Sequence, residues 1–426
     1  IVSASSGDDT IAWYENNGAA DPTWTASDIT TSAQGAYDIH IADMDKDGDL
    51  DIVSASQDDN KIIWYESNAA DVNLKTDAKV GEDYTSTSGT LTITAGQTSR
   101  TFDVPVLADT YPENNETATV TLSNPVNSSI TDSTGILTIT DDEAFSFTRM
   151  FTDDDWIGGN RIGNSFLLDG VHNIDIADID GDGDLDVISA AENNNSVIWS
   201  RNNNGDASTW TDIEIIGQTT SNFGWPYNVN WVPAVAAVQA GDLDGDGDLD
   251  IAVVGQGLHG SAGQVVWLEN NNGDASSWTK NSMVSVETYH GIDLVDLDGD
   301  SDLDIVDASI SDDGIGWWEN DGASDPSFSR NVVATSAEAA TEVQAGDLDG
   351  DGDIDLVSVS CGDNTVAWYA NNGAADPTWI ATDIATNVDS GRDLKIADMD
   401  GDGDLDIISI AMGDGAHGGG TSHKVL

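Results

Sequence analysis

Cysteine is almost missing from this chain: Cys361 is the only one in 426 residues, so no disulfide can close within it, and packing or bound metal must hold the fold. Basic residues are nearly as scarce. Thirteen Lys and Arg stand against 78 Asp and Glu, a formal net charge of −65, which repels phosphate backbones and anionic lipid surfaces alike. Nucleic acid is excluded as a direct partner. No apolar run approaches the roughly 18 residues of a membrane span, and the chain opens on IVSAS rather than on a basic stretch followed by an apolar one, so membrane insertion is not expected. There is also no nucleophile elbow, zincin helix or phosphate-cradling loop.

What is present is repetition. Apolar residues make up 38%, joined by 43 glycines, enough for a sizeable core. One nine-residue string recurs six times, as DMDKDGDLD from Asp43, DIDGDGDLD from Asp178, DLDGDGDLD from Asp242, DLDGDSDLD from Asp296, DLDGDGDID from Asp347 and DMDGDGDLD from Asp398. Successive starts from Asp178 onward lie 64, 54, 51 and 51 residues apart, whereas the first interval, 178 − 43 = 135, signals an insertion. After each string comes a short apolar run, such as IVSAS from Ile52 or LVSVS from Leu356, then a polar turn and an aromatic strand such as VVWLEN from Val265. Many units close on a further strand, as in WTDIEI from Trp210. Four short strands per period of about fifty residues fit a propeller blade.

Carboxylates at positions 1, 3 and 5 of each string converge when the backbone curls around a centre, and Gly at position 6 permits the sharp turn, which is calcium chemistry. Position 12, where an EF-hand places its Glu, is Ser54, Ser189, Val253, Asp307, Ser358 or Ser409, so the shell is not closed as in an EF-hand. About six Ca2+ ions are expected, held by Asp43, Asp45, Asp47, Asp49 and Asp51; Asp178, Asp180, Asp182, Asp184 and Asp186; Asp242, Asp244, Asp246, Asp248 and Asp250; Asp296, Asp298, Asp300, Asp302 and Asp304; Asp347, Asp349, Asp351, Asp353 and Asp355; and Asp398, Asp400, Asp402, Asp404 and Asp406. Ser301 replaces the position 6 glycine in the fourth loop and marks it as the weakest candidate, whereas Lys46 at position 4 of the first is harmless.

The string between two strands, followed by the W-Y-E-N strand, resembles the FG-GAP or VCBS-type repeat of integrin α-subunit propellers and bacterial surface proteins. The resemblance implies an all-β, calcium-binding ring of blades, usually seven, with the calcium loops between first and second strands, the Asp at position 9 closing the calcium shell and the position 7 carbonyl as a further ligand. Residues 1–30 read as a blade without its first strand, and the C-terminus stops soon after its sixth loop. Five complete units and two partial ones make either a ring of six closed by its ends or seven blades with two incomplete. The expectation is a seven-bladed design cut from a longer chain.

Residues 71–144 change character, to Thr/Val/Ile-rich segments with period-two alternation such as GTLTITAG and TATVTLSNPV, which argues an all-β sandwich. The segment resembles a Calx-β domain lacking its leading strand, inserted into a propeller of residues 1–70 and 145–426. That resemblance implies further calcium ligands at Asp83, Asp109, Glu113, Asp141 and Asp142.

The face opposite the Asp loops is the expected binding face. His172 and His290 lie six residues before an Asp loop, where Tyr37 and Arg392 share the register, and His259 falls in a second-to-third-strand turn. Trp156, Arg161, Phe223, Trp225, Tyr227 and Trp231 sit in longer connections; flat aromatics beside Arg, Asn and His suit a sugar site. By contrast Trp13, Trp64, Trp199, Trp267, Trp317 and Trp368 repeat at one strand position and are expected between blades. The whole reads as a secreted or surface-attached protein of adhesion, binding a glycan or surface protein, with head-to-tail self-association through its incomplete end blades. The alternative is a polysaccharide lyase using His172, His290, Tyr37 and Arg392.

Overall fold

The computed structural model describes residues 1–16, 24–67, 78–81, 83–107, 116–140, 147–149, 168–217, 232–257, 263–284, 289–399 and 403–411. These hold strands and no helix. The chain divides into two compact units, Ile1–Asp45 with Ile52–Trp64 and Phe151–Leu426, and Lys46–Asp51 with Tyr65–Met150.

In the larger unit a three-stranded sheet comes first: β1 (Val2–Ser5), β2 (Thr10–Asn16) and β3 (Trp24–Thr30). Next come β4 (Ala36–Ala42), β5 (Asp51–Ser56) and β6 (Lys61–Ser67), while β7 (Glu116–Thr121), β8 (Thr134–Ile139) and β9 (Phe147–Arg149) belong to the smaller unit. Four antiparallel four-stranded sheets follow. They are β10 (Val171–Ala177) to β13 (Trp210–Ile216) through β11 (Asp186–Ala191) and β12 (Ser196–Asn202), then β14 (Val235–Gly241), β15 (Asp250–Gly255), β16 (Gln264–Asn270) and β17 (Trp278–Val284). The same order repeats in β18 (Tyr289–Val295), β19 (Asp304–Ser309), β20 (Gly314–Asn320) and β21 (Phe328–Ala334), and in β22 (Ala340–Gly346), β23 (Asp355–Ser360), β24 (Thr365–Ala370) and β25 (Ile380–Ala385). A two-stranded sheet of β26 (Gly391–Ala397) and β27 (Asp406–Ala411) ends the described chain.

The second strands β11, β15, β19 and β23 are buried at every residue, which explains their small or β-branched composition on both faces. Trp64 packs with Leu168, Val171 and Ile174 of the following blade. Trp199 packs with Val232, Val235 and Val238, Trp267 with Ile292 and Ile305, and Trp317 with Ala340 and Val343. These four tryptophans of the register are therefore inter-blade packing, each indole worth several kcal/mol of buried apolar area, whereas Trp13 and Trp368 are only partly buried.

Six inner strands, β4, β10, β14, β18, β22 and β26, face one axis, so the propeller has six blades rather than the expected seven. Asp393 on β26 feels the charges of Asp38 and His40 on β4, and Arg392 and Asp393 act on Tyr37. These charge interactions relate the sixth inner strand to the first, and β1–β3, a sheet without an inner strand of its own, adds none to the six.

Acidic side chains seal the inner-strand edges. Asp38 accepts Ile174 N–H at 2.9 Å, Asp175 accepts Ala240 N–H at 2.7 Å, and Asp293 accepts Ala345 N–H at 2.8 Å. Neighbouring inner strands are thus joined by carboxylates instead of ladders, and the otherwise orphaned edge amides are satisfied. These bonds account for acidic residues that no metal loop requires.

In the smaller unit, β7 pairs with β8 and the end of β6 with β9. Besides these, Tyr84 bridges Val80 and Val106. Among the described residues Ala118 is buried, whereas Ile93, Val126 and Ile136 are 60%, 80% and 77% exposed.

Candidate functional site

The Asp loops share one geometry. In the loop from Asp242, Gly247 N–H donates to Asp242 Oδ2 at 3.1 Å, Asp246 N–H to Asp244 Oδ1 at 3.1 Å, and Asp248 N–H to Asp246 Oδ1 at 3.0 Å. One oxygen of each carboxylate pins the backbone, and the three carboxylates are drawn together. Ligand oxygens of Asp178, Asp180 and Asp182 lie within 4.8 Å of one another, as do those of Asp242, Asp244 and Asp246, of Asp296, Asp298 and Asp300, and of Asp347, Asp349 and Asp351. The loop from Asp43 is split between the two units at Asp45. In the last loop Gly403 N–H donates to Asp398 Oδ2 at 3.0 Å, and Asp400 and Asp402 lie outside the described residues.

Positions 4 and 6 need the left-handed backbone, with φ 72° at Gly245 and 96° at Gly247. Lys46 and Ser301 adopt it too, at 64° and 82°. Ser301 N–H still reaches Asp296 Oδ2 at 3.0 Å, so the fourth loop keeps its shape at the expense of some backbone strain.

Positions 7 and 9 make contacts of their own beside the converging triad. A Cβ on Gly273 would meet Asp248 and one on Gly373 would meet Asp353 at under 3 Å, so the position 7 carboxylate lies beneath the turn after the third strand. Asp250, at position 9, is buried and accepts Asn270 N–H on Oδ1 at 2.9 Å and Leu243 N–H on Oδ2 at 3.1 Å. Asp186 likewise accepts Asn202 N–H and the Trp199 indole N–H, both at 2.8 Å. Position 9 therefore staples the loop to the third strand. Burial pushes the carboxyl pKa of Asp186, Asp250 and Asp304 up to about 7, against the pull of these N–H donors.

The triads fit a hard cation. Asp178 Oδ1 and Asp242 Oδ1 are buried with no hydrogen-bond partner, and an unsatisfied carboxylate oxygen among other carboxylates needs a positive charge. Every side-chain donor is oxygen, the set calcium prefers.

At the other end of the inner strands, six residues before each loop and roughly 20 Å away along an extended chain, the ladder to the second strand skips a residue. The shift spans Val171/Asn173, Val235/Ala237, Tyr289/Ile292, Ala340/Glu342 and Gly391/Asp393. His172, Ala236, His290, Thr341 and Arg392 fall within these bulges, which re-aim side chains. Tyr37 stacks on His172 with ring centroids 4.4 Å apart, and its Oη lies 3.5 Å from His290 Nε2. His290 Nδ1 donates to Thr341 O at 2.9 Å, which leaves Nε2 as acceptor for the tyrosine. The Gln57 amide lies 2.6 Å from His172 Nε2 and 3.4 Å from Glu192 Oε2. Burial, with His290 and Arg392 adding to it, lowers the His172 pKa to about 4; burial, then Arg392, does the same for His290. Both imidazoles are neutral at pH 7.

Structure thus brings Tyr37, His172 and His290 together. Trp156, Arg161, Phe223, Trp225, Tyr227, Trp231 and His259 lie outside the described residues, as do Asp109, Glu113, Asp141 and Asp142. Asp83 is buried and accepts Lys79 N–H within a turn. The spacing argument missed Arg201, whose Nε and Nη2 reach Asp180 at 2.7 Å and Asp182 at 2.8 Å. It also missed a buried pair in which Asp307 accepts Arg330 at 3.1 Å and the Trp318 indole at 2.6 Å. A signal for it existed, since Asp307 stands where other units carry Ser or Val.

Successive four-stranded antiparallel blades with neighbouring inner strands, and an Asp loop between first and second strands, define a β-propeller with acidic metal-type loops. The chain belongs to the FG-GAP-like repeat family, whose model matches residues 1–54, 178–253, 242–306 and 347–409, more than half of its length. A Calx-beta domain model matches residues 65–143. Together these domains suggest an extracellular adhesion-type propeller. Among curated proteins none matches the chain. Of solved structures, a protein from Lactobacillus plantarum is similar at 14% identity, over 98% of this chain and 90% of that one, with a TM-score of 0.44. BBS1N, in a complex with ARL6DN soaked with lead, is similar at 11% identity over 88% of each chain, with a TM-score of 0.37.

Proposed function

We propose that this chain is a secreted or surface-attached propeller that binds a glycan or a surface protein in adhesion, with calcium as the structural ion of its Asp loops. The observation that carries the calcium part is the pair of buried, unpartnered oxygens Asp178 Oδ1 and Asp242 Oδ1 inside carboxylate triads. Ligand contact falls to the face of the inner-strand starts, away from the loops. In this reading residues 71–144 form a Calx-β-like module carried by the propeller of residues 1–70 and 145–426. In the same reading the end sheets β1–β3 and β26–β27 serve head-to-tail self-association by strand pairing. A chelator titration that leaves melting unchanged would overturn the calcium part. A glycan array and a surface-protein panel that both stay blank with the calcium-loaded chain would overturn the binding part.

One observation favours a second reading as a polysaccharide lyase: Tyr37 stands between His172 and His290, two neutral imidazoles beside a phenol. Such a set can move a proton at a sugar carbon next to a carboxylate, with Arg392 holding the acid. Unsaturated product absorbance on acidic polysaccharides, abolished by H172Q with H290Q, tests it. Burial of both histidines, at 6% and 9% exposure, weighs on the side of binding.

A further inference from the structure

We infer that the loop from Asp178 carries its own counter-cation, Arg201, and takes calcium more weakly than its sister loops. The inference rests on the calcium reading above and concerns how the sites differ.

The loops of the larger unit provide an internal comparison. In each, Oδ1 of positions 3 and 5 accepts a loop N–H: 3.3 and 3.0 Å at Asp180 and Asp182, 3.1 and 3.0 Å at Asp244 and Asp246, and 3.2 and 3.0 Å at Asp349 and Asp351. The inward oxygens make the difference. Asp182 Oδ2 accepts from the Arg201 guanidinium at 2.8 Å, and Asp180 Oδ2 lies 2.7 Å from Nε of the same group as an ion pair, so one cation stands against both carboxylates. Arg201 precedes Asn202, whose N–H binds the position 9 Asp186. In the same register, Glu269 precedes Asn270 on Asp250, Glu319 precedes Asn320 on Asp304, and Ala370 precedes Asn371 on Asp355. Glu and Ala offer no hydrogen to a carboxylate, and the two glutamates add negative charge.

Arg201 is more than a passing surface pair. Asp180 keeps only 4% of its side-chain exposure, the guanidinium bridges two carboxylates, and its carbon lies 6.0 Å over the Trp199 ring, whose indole N–H is fixed on Asp186. Arg stays charged at every accessible pH, so calcium must displace it or share oxygens with it. Position 1 is untouched: Asp178 Oδ1 remains without a partner, and the loop is only partly neutralised. The blade of β10–β13 therefore holds its loop at calcium levels where its sisters open.

Calorimetric calcium titration of the full chain tests this, with R201A and the converse exchange E269R. Wild type is expected to show one ion fewer in its tight class than R201A, or one site about tenfold weaker or more. E269R is expected to lose a tight ion in its turn. Equal stoichiometry and affinity in wild type and R201A overturn the inference while the calcium reading stands. No binding by wild type overturns the calcium reading itself. If R201A fails to fold by circular dichroism, E269R decides, and an unchanged E269R titration overturns the inference.

Discussion

Asn270 donates one amide hydrogen to the carbonyl of Ile179 at 3.2 Å and another to that of Leu249 at 3.3 Å, so a single side chain ties the Asp loop of its own blade to the loop of the blade before. The pattern repeats from Asn202 to Met44 at 3.2 Å, from Asn320 to Leu243 at 2.8 Å and from Asn371 to Leu297 at 3.3 Å. Asn270 Oδ1 also accepts Ala275 N–H at 3.1 Å. Replacing Asn270 with Ala strands two carbonyls and an amide in a buried place, at about 2–3 kcal/mol. Asn270→Asp keeps the acceptor and adds a charge beside two carbonyls, so it is expected to be no better. Urea unfolding of both variants in saturating calcium checks the size, and losses under about 0.5 kcal/mol would contradict the role.

Stabilisation by calcium should grow with pH. The carboxyl groups of Asp186, Asp250 and Asp304 are raised to about 7 by burial, so without metal the folded state holds protons that the unfolded chain has already lost. Their contribution is fully present below about pH 4 and is lost as pH rises through about 7. Calcium favours the ionised form and opposes that loss. The melting shift between calcium and chelator is therefore expected to be larger at pH 8 than at pH 5.5, as scanning calorimetry would show; a shift independent of pH would contradict it.

The histidines act in the opposite direction. His172 and His290 are lowered to about 4, so the unfolded chain binds protons between about pH 6.5 and 4 that the folded chain refuses. Their stability is present above pH 6.5 and is lost as pH falls toward 4. In saturating calcium, the stability difference between wild type and H172Q/H290Q is expected to shrink across that window. A constant difference would mean that the ring does not keep them neutral.

Arg330 covers a buried charge. Asp307 is fully buried and accepts both Arg330 and the Trp318 indole, so Arg330→Ala is expected to cost about 3–5 kcal/mol. Adding Asp307→Ser, the residue found at that place in four other units, removes the stranded carboxylate and is expected to recover most of the loss. A double variant no more stable than R330A would place the defect elsewhere.

Much of the propeller could be read directly. Carboxylates two residues apart with a glycine at the turn announce the loops, and the indole register announces the contact between blades, because both repeat at fixed offsets. Blade number was not legible: seven of the described sheets follow the propeller pattern, and the count of six rests on the inner strands alone, since β1–β3 has none. The bulges at His172 and Arg392 change side-chain direction without a mark in composition. Asn202, Asn270, Asn320 and Asn371 do repeat, but an Asn at the end of a strand reads as turn chemistry, and its bond to another blade is a tertiary fact. In the insert, period-two alternation marks strands but not their partners, and of these the described residues pair β7 with β8.

The Asp307–Arg330 pair also constrains the order in which this blade diverged from its sisters. A Cβ on Gly316 would come within 2.7 Å of Asp307 and 2.6 Å of Arg330, and the other units carry Ile63, Ile198, Val266 or Ala367 at that place. Starting from such a unit, acidity before space or before the guanidinium buries an unpaired charge, the most damaging of the intermediates. Losing the bulky side chain first leaves a tolerable gap, a basic residue second can snorkel toward solvent, and the aspartate comes last without penalty. The three positions are therefore coupled: Asp307 is tolerated only where both the space at Gly316 and the guanidinium of Arg330 are present, and a return to the common pattern has to give up Asp307 before either of them.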